Sequence, residues 1–203
     1  MTTRLEKVQA VGFRRTAVVI LVFILFMPLA ILEPVRAETG SIDAETANRL
    51  VNDYARHVLK QLPRDWRKVE EQKWRSNPPH IPPGGIYQLT SPSGHIAFEH
   101  DAEKQQLLCW SKIHKARGEH PTAGLTREEV LDALKRAEAK GVDTGGGEVV
   151  WEPVSEGYFL LRTFDHPPKS NRQLSKELDR FVAAAEEWAR KHYLAAVQSY
   201  KQP

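Results

Sequence analysis

Five histidines, His80, His95, His100, His114 and His120, fall within one stretch of the chain and raise the question of metal chemistry. A zinc site needs ligands that can close a tetrahedron, and closely spaced pairs with Asp or Cys are its sequence signature. No such pair occurs here, and the step from His95 to His100 puts those two on opposite faces of a regular strand. The histidines therefore read as loop and surface residues, with no metal and no other cofactor implied. Cys109 could act as a nucleophile with His95 or His114 as base. It sits between Leu108 and Trp110, where a free thiol is inert packing rather than a reactive group.

Gly145-Gly146-Gly147 could cradle a phosphate only if a helix N-terminus followed it. A strand pattern follows instead, so the run reads as a flexible turn. The carboxylate pairs Glu128-Glu129 and Glu186-Glu187 fit a helix first turn and a solvated helix face. None of these groups makes a catalytic set, and the chain is expected not to be an enzyme. The tryptophans carry more information. Trp110, Trp151 and Trp188 fall inside strand and helix patterns, whereas Trp66 and Trp74 lie in an irregular stretch. Those two either cover a sheet or present an edge to a partner. Trp110, Leu108, Trp66 and Trp74 are the candidate partner-binding residues.

The elements that must position them can be read from periodicity. Ala47, Leu50, Val51, Tyr54, Val58, Leu59 and Leu62 make one face of an amphipathic helix over 43–62, with Asp43 as N-cap and Pro63 as stop. Arg64 to Gly85, with its proline-rich end, reads as a loop. A three-stranded meander follows: Ile86–Thr90, His95–His100 and Gln105–His114. On its third strand Leu107, Cys109 and Ile113 face one way, and Leu108 and Trp110 the other. A strand that is apolar on both sides is expected to be covered on both. The cover on the Trp110 side would be the 64–85 loop, a second copy of the chain, or a bound partner.

Thr126 and Glu129 form a capping box for a second helix, which stops at Gly141. Strands at Glu148–Glu152 and Tyr158–Phe164 come next. A last helix starts near Ser170, with Gln173 placed for another capping box and an apolar stripe from Leu174 to Ala196. The order α-β-β-β-α-β-β-α defines an α+β domain, a mostly antiparallel sheet packed by helices.

The N-terminus has the three zones of an export signal. Arg4, Lys7, Arg14 and Arg15 precede an apolar run from Ala17 to Leu32, and Val35-x-Ala37 supplies small residues for a peptidase. Cleavage between Ala37 and Glu38 is expected, leaving residues 38–203 as one domain in the periplasm or outside the cell. The alternative is an inner-membrane anchor over 17–32, but the run is short of a full span and contains Pro28. The whole chain carries 29 Lys+Arg and 26 Asp+Glu; removing five and two with the leader leaves 24 of each. A balanced domain gives no electrostatic case for nucleic-acid binding. With one cysteine in the chain, the fold has no internal disulfide to rest on.

The element order resembles the type III secretion chaperone-like fold of the CesT (Tir chaperone) family and of YbjN-type proteins. The features that carry it are the first helix, the strands Gly94-His95-Ile96-Ala97-Phe98 and Leu107-Leu108-Cys109-Trp110, and the ending Leu160-Leu161-Arg162-Thr163-Phe164-Asp165. Leu178-Asp179-Arg180-Phe181 and Ala185-Glu186-Glu187-Trp188 add to it. The similarity spans nearly all of 38–203, in order and apolar pattern. Members of that family work without a leader and tend to be acidic, so this chain departs from them on both counts. The resemblance implies a small non-enzymatic fold that pairs into dimers and grips extended polypeptide on its sheet and helix surfaces. The expected function is thus an exported module that binds a polypeptide partner or a second copy of itself, with membrane contact only through the signal segment. The other classes left open are a periplasmic small-molecule-binding protein or enzyme, and an immunity-type inhibitor of a toxin.

Overall fold

The computed structural model describes residues 41–115 and 124–200, which belong to one compact unit. The expected signal segment, its cleavage point at Ala37 and Glu38, and His120 lie outside the described residues. No helix among the described residues is long and apolar enough to cross a membrane.

Helix α1 (Ala44–Gln61) starts where Asp43 accepts a hydrogen bond from the Thr46 N–H at 2.7 Å. Its buried face is Ala47, Leu50, Val51, Tyr54, Ala55 and Val58, the stripe that the sequence spacing predicts except that Ala55 joins it and Leu59 and Leu62 are half-buried. Arg64–Ser76, expected as loop, is instead a second helix, α2. It buries no residue, and that is why no apolar stripe announces it. Its place is fixed by Arg67, whose guanidinium donates to the carbonyls of Leu59, Lys60 and Leu62 at 3.1, 2.7 and 3.1 Å. Those are the acceptors that a helix C-terminus leaves unpaired. The proline-rich segment after α2 is tied to α1 by two asparagines one turn apart. Asn48 accepts from the Ile81 N–H at 2.7 Å, and Asn52 donates to the Pro79 carbonyl at 2.8 Å.

The sheet has five strands: β1 (Ile86–Ser91), β2 (Gly94–Asp101), β3 (Gln106–Lys115), β4 (Glu148–Glu152) and β5 (Gly157–Phe164). Their order in space is β1-β2-β3-β5-β4, and every neighbouring pair is antiparallel. This is the α+β architecture that the pattern of elements implies. Helix α3 (Arg127–Ala139) carries the expected capping box: the Glu129 N–H donates to the Thr126 hydroxyl, and the Thr126 N–H to the Glu129 carboxylate. Glu138 on α3 accepts from the Val149 N–H at 3.4 Å and so covers part of the β4 edge.

Helix α4 (Asn171–Glu187) begins at Ser170, whose hydroxyl accepts from the Gln173 N–H at 3.2 Å. The reciprocal arm differs from the expected box, because the Gln173 carbonyl takes the N–H of Lys169 rather than of the cap itself. The chain then passes through one π turn, Trp188–His192, into α5 (Tyr193–Tyr200). The wide turn leaves Trp188 fully buried, with its indole N–H donating to the Asp143 carbonyl at 2.9 Å. Tyr193, also buried, stacks on His114 at 4.1 Å between ring centres.

All these helices lie on one side of the sheet. Its covered face holds Ile96, Phe98, Leu107, Cys109, Val149, Tyr158 and Leu160, all buried in the core beneath the helices. Arg162 also points to this side. Its guanidinium pairs with Glu177 on α4, donates to the Gly145 carbonyl at 2.6 Å and lies over the Phe164 ring.

The glycine run is a turn, as expected, and it is packed tightly against α4. A Cβ on Gly145, which has φ +64°, would stand 2.4 Å from the Phe181 Cα of α4. No side chain fits between the loop and the helix at that separation. Gly145→Ala is therefore expected to cost about 3 kcal/mol, from backbone strain and overpacking together. Urea unfolding should show the midpoint falling with an unchanged slope.

Candidate functional site

Strand alternation decides what the other face of the sheet carries. On β3 the residues between Leu107, Cys109 and Ser111 are Leu108 and Trp110, and both are half-buried. Antiparallel pairing sets Ala97 and Leu161 opposite Trp110, and Phe159 opposite Lys112. Val150 on β4 pairs with Phe159, and Gln88 on β1 with Ala97. No described helix packs over this surface. Its centre is a groove floored by Trp110, Phe159 and Ala97 and rimmed by Gln88, Thr90, His95 and Lys112, part of a cavity of about 910 Å³ whose lining also takes in Ile96, Ile113 and Glu186 of α4. The floor offers apolar area, and the rim offers hydrogen-bond donors and acceptors.

Trp110 is held in one orientation. Its indole N–H donates to Glu99 at 3.0 Å, and its ring meets Phe159 edge-on at 6.3 Å with planes 89° apart. An aromatic already fixed at both ends loses little conformational freedom when something packs on it. Helices cover one face of β3. The stretch 64–85, one of the covers expected for the Trp110 side, instead forms α2 beside α1 and a strap across α1, with Ile81 buried in the helix-side core and Trp74 packed against it.

The four candidate partner residues therefore do not form one surface. Leu108 and Trp110 share the open face. Trp66 stands on α2 with 70 % of its surface exposed, one turn from the exposed Val69. Trp74, on the same helix, is half-buried and packs against the core. Tyr87 lies in the register of Phe98, on the helix side, and burial together with the nearby Glu70 carboxylate raises its phenol above the usual value.

The remaining chemical candidates are engaged separately. His100 donates to the Ile42 carbonyl at 2.8 Å, which anchors the entry to α1. His95 pairs with Thr90 at 2.9 Å across the β1–β2 hairpin, and His80 is exposed. Among the described residues no three His, Cys, Asp or Glu side chains stand close enough to hold a metal ion. Cys109 has no exposed surface, and burial pushes its thiol far above the ordinary range despite the nearby Arg162 charge.

What fold and face define is a one-sided α+β sheet protein whose free face presents a fixed aromatic floor. The chain matches no family model, no curated protein and no solved structure.

Cys109 is expected to resist alkylation by iodoacetamide in the folded protein and to react fully in denaturant, because only the thiolate attacks. Intact-mass measurement reads both states. Modification of the native protein faster than its unfolding rate would contradict the burial described here.

Proposed function

We propose that this chain is an exported, non-enzymatic protein-binding module that lays an extended polypeptide across the open face of its sheet. The observation that carries the reading is the uncovered groove over Trp110 and Phe159, opposite a face fully occupied by helices. A contiguous apolar floor on a protein surface marks an interaction site. A rim of hydrogen-bonding side chains suits a ligand with a polar backbone and alternating side chains. The likeness of the element order to secretion-chaperone-like proteins points the same way, since that resemblance implies grip on extended polypeptide. Export follows from the three-zone leader, and the balanced charge of the mature domain suits a protein partner better than a nucleic acid.

Each apolar side chain that a partner buries on this floor contributes about 1.5–3 kcal/mol. Trp110→Glu would set a second carboxylate beside Glu99 and remove the central aromatic. It is expected to weaken binding of the polypeptide recovered with the mature protein by about 2 kcal/mol or more. Circular dichroism and melting temperature should stay native-like. Titration calorimetry with the purified pair measures the first, and full-strength binding by a folded Trp110→Glu variant would sink the proposal.

Export has its own test. Edman sequencing of protein taken from the cell envelope should read Glu38-Thr39-Gly40. Recovery of intact Met1 on a membrane-integrated form would overturn the cleaved, exported reading.

A further inference from the structure

On the helix side of the molecule, α1 and α4 run beside each other and leave a groove of about 720 Å³ between them. Arg56 and Lys60, one turn apart on α1, line one wall; Arg172 and Lys176, one turn apart on α4, line the other. None of these four cations makes an ion pair among the described residues. Two carboxylates share the groove. Asp179 is already committed, accepting from the Tyr54 hydroxyl at 3.1 Å and from His57 at 2.7 Å. With Asp53 the two carboxylates offset two of the four positive charges, and the lining keeps a positive excess.

Two further features supply directed donors. Ser175 is only 7 % exposed and lines the groove, yet its hydroxyl makes no hydrogen bond among the described residues. A helical serine either bonds back to the carbonyl one turn earlier or turns to solvent, so this hydroxyl is open to a ligand in the groove. The same wall contains the start of α4. There the Ser170 hydroxyl takes the Gln173 N–H, which leaves the N–H groups of Asn171 and Arg172 without a side-chain acceptor. A helix N-terminus with free N–H groups favours negative charge.

We propose that this groove binds a phosphate group. Paired cations on both walls match the several oxygens of a phosphate better than the single pair on a carboxylate. The Ser175 hydroxyl and the first turn of α4 add uncharged donors at short range. The phosphate can belong to a small diffusible ester or to the headgroup of an anionic lipid. The site is independent of the polypeptide reading, because α1 and α4 cover the opposite face of the sheet from Trp110.

Pyrophosphate is the probe, titrated calorimetrically into the mature protein at low salt. One saturable site is expected, weakening as salt is added. The double variant Lys60→Gln/Lys176→Gln should lose about tenfold or more in affinity, and Ser175→Ala several-fold, with melting temperatures unchanged. Lys68→Gln, on the exposed side of α2, should bind as the parent does. Sedimentation with phosphatidylglycerol vesicles separates the two sources. Pelleting that pyrophosphate competes away assigns the group to a lipid, and saturable pyrophosphate binding without pelleting assigns it to a diffusible ester. The proposal is overturned by three results: no saturable binding, undiminished binding in the folded double variant, or equal affinity for a Glu-rich peptide.

Discussion

The packing of α1 and α4 onto a single face of a five-stranded sheet is the constraint from which the other features of the domain follow. Phe98, Leu107, Cys109 and Leu160 are buried there against Tyr54, Leu178 and Phe181. Because strand residues alternate, burying that set forces Leu108, Trp110, Phe159 and Leu161 to the opposite side. The helical mass is used up on one face, so the other keeps an apolar floor with no cover from the described chain. The open face is thus a consequence of topology, and it would persist under most changes to the residues on it.

That one-sided arrangement depends on ties that fix α4 relative to the sheet. The Tyr54 hydroxyl and His57 reach Asp179 from α1, and Arg162 reaches Glu177 from β5. Gly145 lets the loop before β4 approach the α4 backbone, and Trp188 bonds to the Asp143 carbonyl just beyond. Ion pairs withdrawn in part from water, such as Arg162–Glu177, add less net stability than their Coulomb energy suggests. Their contribution is to select one docking of α4 among several of similar hydrophobic content. The phosphate groove lies along the same α1–α4 seam, so whatever fixes the helices also spaces its cationic walls.

Much of this was legible in the sequence, for reasons that differ by element. Asp43, Thr126 and Ser170 mark helix starts because their short polar side chains do something local and recognisable. The alternation of Leu107, Leu108, Cys109 and Trp110 was enough to place each residue on its face. Helix α2 was not legible, since it buries no residue fully and is placed by Arg67 on the end of α1 and by Trp74 against the core, tertiary ties with no local pattern. The glycine run read as a turn, which it is, but its close packing did not show, because the neighbour that requires glycine is Phe181, distant in sequence. The π turn left no signal either, as it exists to seat Trp188 and Tyr193. At the open face the sequence told which residues point outward, but whether anything covers them is a matter of where the helices go. The groove residues Arg56, Lys60, Arg172 and Lys176 read as solvated faces of two separate helices until the fold sets those faces side by side.

The central claim is that Trp110 and its neighbours are reachable in the free protein while the helix-side core is not. Hydroxyl-radical footprinting of the mature monomer, read residue by residue by mass spectrometry, addresses that directly. Oxidation should be fastest at Trp66, intermediate at Trp110 and Phe159, and negligible at Trp188, which has no exposed surface. Protection of Trp110 and Phe159 equal to that of Trp188 in a monomeric sample would contradict the account.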